Sequence, residues 1–180
     1  MKRIFMIVLL GLSLVTLPIL GFAAGTPGKL EVRSSAFGNG ESIPPDFTCD
    51  GADMSPPVAW SGVPTEAQSL AVIVEDPDAP AGNWTHWLIY DLSPKFTQLP
   101  AGIQAGAIIP DGGFQGRTSF GKAGYGGPCP PGGTHRYFFK VFAVDRILHL
   151  APGVTKNELL AAMKGHILAE GTLMGTYARS

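Results

Sequence analysis

The chain has 180 residues, with 13 Lys and Arg against 14 Asp and Glu, a net charge of −1, and 45% of its residues are hydrophobic. A near-neutral chain without a cluster of Lys and Arg lacks the electrostatic footprint of a nucleic-acid binder or of a protein that adheres to anionic lipid, and its hydrophobic content excludes disorder. With 24 Gly and 16 Pro, much of it must lie in turns and irregular loops.

The first segment reads as an export leader. Lys2 and Arg3 precede an almost unbroken apolar run over residues 4–20, and Gly21-Phe22-Ala23 puts small residues at the two positions a signal peptidase reads. A removed signal peptide over residues 1–23 is therefore expected, and with it a periplasmic or secreted location. A retained anchor is the alternative, because the run is just long enough to span a bilayer. No basic stop-transfer cluster follows, so no membrane span is expected after cleavage. Residues 24–180 have the size of one domain with its own core, and they carry eleven basic against fourteen acidic residues, a net charge near −3.

Strand signals then alternate with punctuated loops. Residues 30–35 (LEVRSS) and 69–75 (SLAVIVE) read as strands, the second ending at a Pro-rich corner. The best strands are 84–92 (WTHWLIYDL) and 136–145 (RYFFKVFAVD), and residues 167–178 supply the last. This pattern favours an antiparallel β-sandwich with peripheral helices. One helix is predicted after Thr155, which caps it with Glu158 as the partner of a capping box. Leu159, Leu160, Met163 and Ile167 fall at helical spacing and should pack on the sheet. Residues 38–62, 99–116 and 121–134 are long Gly/Pro-rich loops, of a length that is usually functional or disordered.

Residues 116–122 (GRTSFGK) match the spacing of a phosphate-binding P-loop. However, Ala123 stands where Ser or Thr must hold magnesium, and no strand feeds the segment. A plain surface loop is expected. Cys49 and Cys129 are an even pair in an exported chain, which favours a disulfide, two buried thiols being the alternative.

A polar constellation is spread over three segments. In Asp76-Pro77-Asp78-Ala79-Pro80, the prolines fix φ and hold two carboxylates at a rigid corner after a strand. Asp76, at the strand end, is the better site residue, whereas for Asp78 a turn-capping role is equally open. Strand alternation puts Trp84, His86 and Leu88 on one face and Thr85, Trp87 and Ile89 on the other. It also separates His135 and Tyr137, which can share a wall, from Arg136, which should pair with a carboxylate on the other side.

DPDAP (76–80), WTHW (84–87) and YGGPCPPGGTHRY (125–137), in that order, resemble the phosphatidylethanolamine-binding proteins, in particular their short bacterial Raf-kinase-inhibitor-like branch. The resemblance runs from about Leu30 to the end. It implies a mainly β, antiparallel sandwich with one or two peripheral helices and a small surface pocket for an anionic group, such as phosphate or a phosphorylated head group. Carried over, the pocket would use Asp76, His86, His135 and Tyr137, with Trp84 and Pro131 as walls and the Cys129 amide touching the anion. Pro80, Asp78, Tyr125 and Arg136 would support it. Compared with the longer members, the loop between Pro131 and His135 is about two residues shorter and their C-terminal helix is not matched, so a more open pocket is expected.

The chemistry of the constellation fits an anion, since imidazoles of His86 and His135 donate best when protonated. Catalysis, a metal and a cofactor are not expected, although Asp76, His86 and His135 also spell a two-histidine, one-carboxylate metal set or an acid–base site. Cys129 is the only nucleophile placed near the histidines. A rival reading is a protein-interaction module inhibiting an exported enzyme, its interface on residues 38–62 and 99–116. A homodimer is left open.

Overall fold

The computed structural model describes residues 26–106, 108–109 and 112–179, so the expected leader over 1–23 lies outside the described residues. The strands are β1 (Gly28–Lys29), β2 (Glu31–Arg33), β3 (Val58–Ser61), β4 (Ser69–Asp76), β5 (Trp84–Leu92), β6 (Gln98–Leu99), β7 (Phe114–Gln115), β8 (Thr134–Val144) and β9 (Ile167–Ala178), with α1 (Lys156–Met163) between the last two. They form a six-stranded sheet of order β1-β9-β8-β4-β5-β7 and a three-stranded sheet of order β2-β3-β6. All pairings are antiparallel except β1 with β9.

The near-continuous apolar run of β4 is explained by burial on both faces. Leu70, Val72 and Val74 join Trp87 and Ile89 of β5 and Phe139 and Val141 of β8, and these meet Val58, Trp60 and Leu99 of the smaller sheet in the sandwich core. Ala71 and Ile73 face the other way, with Leu88, Tyr90, Phe142 and Val144, onto Leu159 and Met163 of α1. Every residue of β4 is buried as a result.

The long strands lie close to where alternation predicts them, but four expectations change. Residues 30–35 do not make one strand. The chain switches sheets at Leu30, whose side chain enters the core between β1 and β2. It crosses β9 so closely that a Cβ on Gly171 would fall 2.3 Å from the Leu30 carbonyl. The region 38–62 contains a 3₁₀ turn, Pro45–Phe47, and β3, and residues 99–116 contain the end of β6 and β7. Short strands inside Gly/Pro-rich sequence carry too few residues for a periodic signal. The helix is shorter than the spacing suggests. Its capping box forms as expected and Leu159 and Met163 are buried, but Leu160 is exposed and Ile167 opens β9. Gly165, at φ 80°, turns the chain out of the helix.

The fourth change concerns β5. Val74 pairs with Trp87 and the adjacent Glu75 with Thr85, which leaves His86 as an extra, bulged residue. The bulge breaks the alternation. Trp84 and His86 do share a side, but Leu88 packs against α1 and Trp87 enters the sandwich core. A second bulge falls at Asp91, which takes φ 52° and accepts the Leu148 N–H.

Candidate functional site

The bulge positions His86 at one end of the sandwich, where β4 ends, β5 begins and β8 begins. Its Nδ1 lies 2.6 Å from the carbonyl of Gly126. A carbonyl only accepts, so Nδ1 carries the proton and Nε2 is left for other partners. The ring packs edge-on against Tyr137 and Phe120, at centroid distances of 5.2 and 5.4 Å.

The Asp-Pro-Asp corner is locked to the start of β8 through two successive residues. Asp76 Oδ2 accepts from His135 Nδ1 at 2.7 Å, and Asp76 Oδ1 accepts from the Asp78 N–H at 2.8 Å. Asp78 in turn takes the Arg136 guanidinium in a fork, Nε at 2.8 Å and Nη2 at 2.7 Å, and also the Arg136 N–H. The Arg136 hydrogen bonds bring the Asp78 carboxyl down to about 2. Strand alternation thus sends His135 inward to one carboxylate and Arg136 outward to the other.

The facing wall is the segment 125–131. Its Gly126 N–H and carbonyl clasp the backbone and side chain of His86. Cys129 is bonded to Cys49, with Cα atoms 5.4 Å apart, and the Cys49 N–H donates to the Pro128 carbonyl. Asp53 Oδ1 accepts the Gly127 N–H at 2.6 Å. The loop around Cys49 therefore staples this wall from outside.

Between these walls is a cavity of about 240 Å³. Asp76, His86, His135 and Tyr137 supply its polar groups, and Trp84, Pro80, Cys129 and Pro131 are among its sides. Among the described residues, neither histidine Nε2 has a hydrogen-bond partner, and the buried Tyr137 hydroxyl has none either. Burial holds the His86 imidazole below its ordinary value, against the opposing pull of the Gly126 carbonyl and Asp76. Burial, reinforced by the Asp76 charge, holds the Tyr137 hydroxyl well above its ordinary value, so it remains a donor. No group of three or more His, Cys, Asp or Glu among the described residues is disposed to hold a metal ion.

The family model for phosphatidylethanolamine-binding protein matches residues 33–178. The chain belongs to this family.

Among the relatives of this phosphatidylethanolamine-binding protein family member, a UPF0098 protein of Methanothermobacter thermautotrophicus is 47% identical over 150 residues, covering 83% of this chain and 99% of its own. A UPF0098 protein of Pyrococcus horikoshii is 44% identical, covering 95% and 89%. Of solved structures, the homolog CT736 from Chlamydia trachomatis superposes with a TM-score of 0.79 at 44% identity, over 85% of this chain and 99% of that one. YbcL of E. coli superposes with a TM-score of 0.78 at 31% identity, over 85% and 100%.

The family fold brings together all seven residues expected to line the pocket, and Pro80 joins them. Asp78 and Arg136 lie outside the cavity and brace its corner. Tyr125 is a buried strut, edge-on to Trp87 with its hydroxyl on the Phe47 carbonyl. Sequence reasoning missed Phe120, Ala79, Ala81 and Pro130, which also line the cavity. The segment 116–122, expected to be a plain surface loop, delivers Phe120 to the wall. A Cβ on Gly126 would fall 2.6 Å from the Phe120 ring, so that ring seats only against a glycine. A lone aromatic within a Gly-rich loop was the available signal.

Proposed function

We propose that this family member is an exported binding protein, periplasmic or secreted, that holds a small anionic ligand in the cavity between His86 and His135. Phosphate or a phosphorylated head group has the required chemistry. The observation that carries this reading is the convergence of two unpartnered nitrogens, Nε2 of His86 and Nε2 of His135, on one small cavity, with the Tyr137 hydroxyl buried without a partner in its wall.

Both Nδ1 protons are committed, to Gly126 and to Asp76. Each Nε2 therefore offers the cavity a lone pair when the ring is neutral and an N–H when it is protonated. An anion favours the second state and draws protons onto the site as it binds. The Tyr137 hydroxyl donates in either state, and the Cys129 N–H, without a partner among the described backbone bonds, can donate beside it. Asp76 holds the His135 ring in place, while the apolar sides of Trp84, Phe120 and Pro131 limit solvent and strengthen each charge-assisted bond.

A binding role is favoured over catalysis because the sulfur of Cys129, the nucleophile nearest the histidines, is committed to the disulfide. Isothermal titration with inorganic phosphate and with phosphoethanolamine, between about pH 5.5 and pH 8.5, tests the reading. Affinity should rise as pH falls. Equal affinity across the range, or binding unchanged in His135→Ala, overturns it.

A further inference from the structure

A second cavity, of about 350 Å³, opens on the other side of β5, between the 116–123 hairpin and the start of α1. It shares no lining residue with the histidine cavity. The two lie back to back. Thr85 faces one and His86 the other, and the hairpin gives Arg117 and Ser119 to the second cavity but Phe120 to the first.

Hydrogen bonding at this second cavity is lopsided. Its neighbouring carboxylates are satisfied. Glu75 accepts from Lys140, Lys156 and Asn83, and burial, which would raise its carboxyl, is outweighed by the two lysines. Glu158 accepts from the N–H and the hydroxyl of Thr155.

Lys156 Nζ, the Asn83 amide and the Thr118 hydroxyl are bonded, but other donors of the cavity are not. Thr85 is only 4% exposed, yet its hydroxyl has no hydrogen-bond partner among the described residues and it lines this cavity. Ser119 Oγ accepts the Thr85 N–H, which leaves its own proton to give. Arg117 lines the cavity without a salt bridge to any described residue, and its charge is close enough to Glu158 to favour that carboxylate. The N–H groups of Lys156 and Asn157 open the helix, where no intrahelical acceptor exists and the dipole favours negative charge. A helix start alone is a common feature. Here it coincides with the unpartnered hydroxyl of an otherwise buried threonine and with an unpaired guanidinium.

We propose that this cavity is a second anion site, for a tetrahedral oxyanion of the sulfate or phosphate type, held by Arg117, the Thr85 and Ser119 hydroxyls and the open N–H groups at the start of α1. It is independent of the histidine cavity. Glu158 competes for Arg117 and the mouth is open to solvent, so the affinity expected is millimolar.

Amide NMR of the protein titrated with sodium sulfate at constant ionic strength tests the site. Saturable shifts are expected at Ser119, Lys156 and Asn157, weakened at least about tenfold in Arg117→Ala, which loses a charge-assisted donor, and in the near-isosteric Thr85→Val. The same shifts should persist in His135→Ala, which disables the other cavity. Arg117 is exposed, so its variant is expected to fold even if the buried Thr85→Val does not. Shifts at these amides that never saturate, that survive Arg117→Ala, or that vanish with His135→Ala overturn the proposal.

Discussion

His135 donates from Nδ1 to Asp76 Oδ2 across 2.7 Å, tying the start of β8 to the last residue of β4. Both side chains are almost fully buried. Sheet register alone would bring the strands together, but this bond orients the ring so that Nε2 is left to the cavity. Replacing Asp76 with Asn keeps the shape and removes the charge. A loss of about 1.5–3 kcal/mol is expected, the range for a hydrogen bond to a charged group, together with weaker phosphate binding at acid pH. Urea denaturation and calorimetry read the two effects, and unchanged stability contradicts the role given to the pair.

His86 makes stability depend on pH with a definite sign. Its imidazole is held below the ordinary value of 6.5 by burial, so the unfolded chain takes up the proton first. The contribution of the neutral ring is complete above that value and is lost as pH falls below it, down to the depressed native value. A ligand that prefers the imidazolium acts oppositely. Thermal melts should show stability falling through this acid window, phosphate should stabilise most within it, and His86→Gln should flatten both trends.

Tyr137 separates folding from binding. Its hydroxyl is buried without a partner, so Tyr137→Phe removes an unsatisfied group and should leave the unliganded protein equally or more stable. Phosphate affinity should nevertheless fall by about 1 kcal/mol, or roughly fivefold. A large loss of stability on this substitution would mean that the hydroxyl has a structural partner instead.

The Cys49–Cys129 bond closes a long loop, with a sequence separation of 80. Chain entropy puts its contribution on the order of 4 kcal/mol. Reduction should therefore lower the melting temperature, and it should also weaken phosphate binding, because Cys129 lies in the same wall as the Gly126 carbonyl that holds His86. A reduced protein with unchanged phosphate affinity shows that the other contacts of the wall, such as Asp53 with Gly127, suffice.

Much of this protein is legible in its residues. Alternation over β8 depends only on the two-residue period of a strand, and it correctly separated His135 from Arg136, while the capping-box spacing of Thr155 and Glu158 placed the helix cap. The prolines of 76–80 marked a rigid corner because Pro restricts φ whatever surrounds it. The three motifs, in order, were enough to indicate the family. What a linear pattern could not contain was anything set by register between distant strands.

The bulge at His86 exists because Glu75 and Val74 pair with Thr85 and Trp87, and that mismatch is a property of two strands together. It moves Leu88 away from the histidine and toward α1. Phe120 reached the cavity for a similar reason, since its hairpin is pinned to β5 by Ser119 and Thr85. The sequence by itself determined which residue types could bind an anion and which strands would carry them. Only the tertiary structure decided which of their nitrogen and oxygen atoms were already bonded, because a donor is free or occupied according to neighbours that lie far away along the chain.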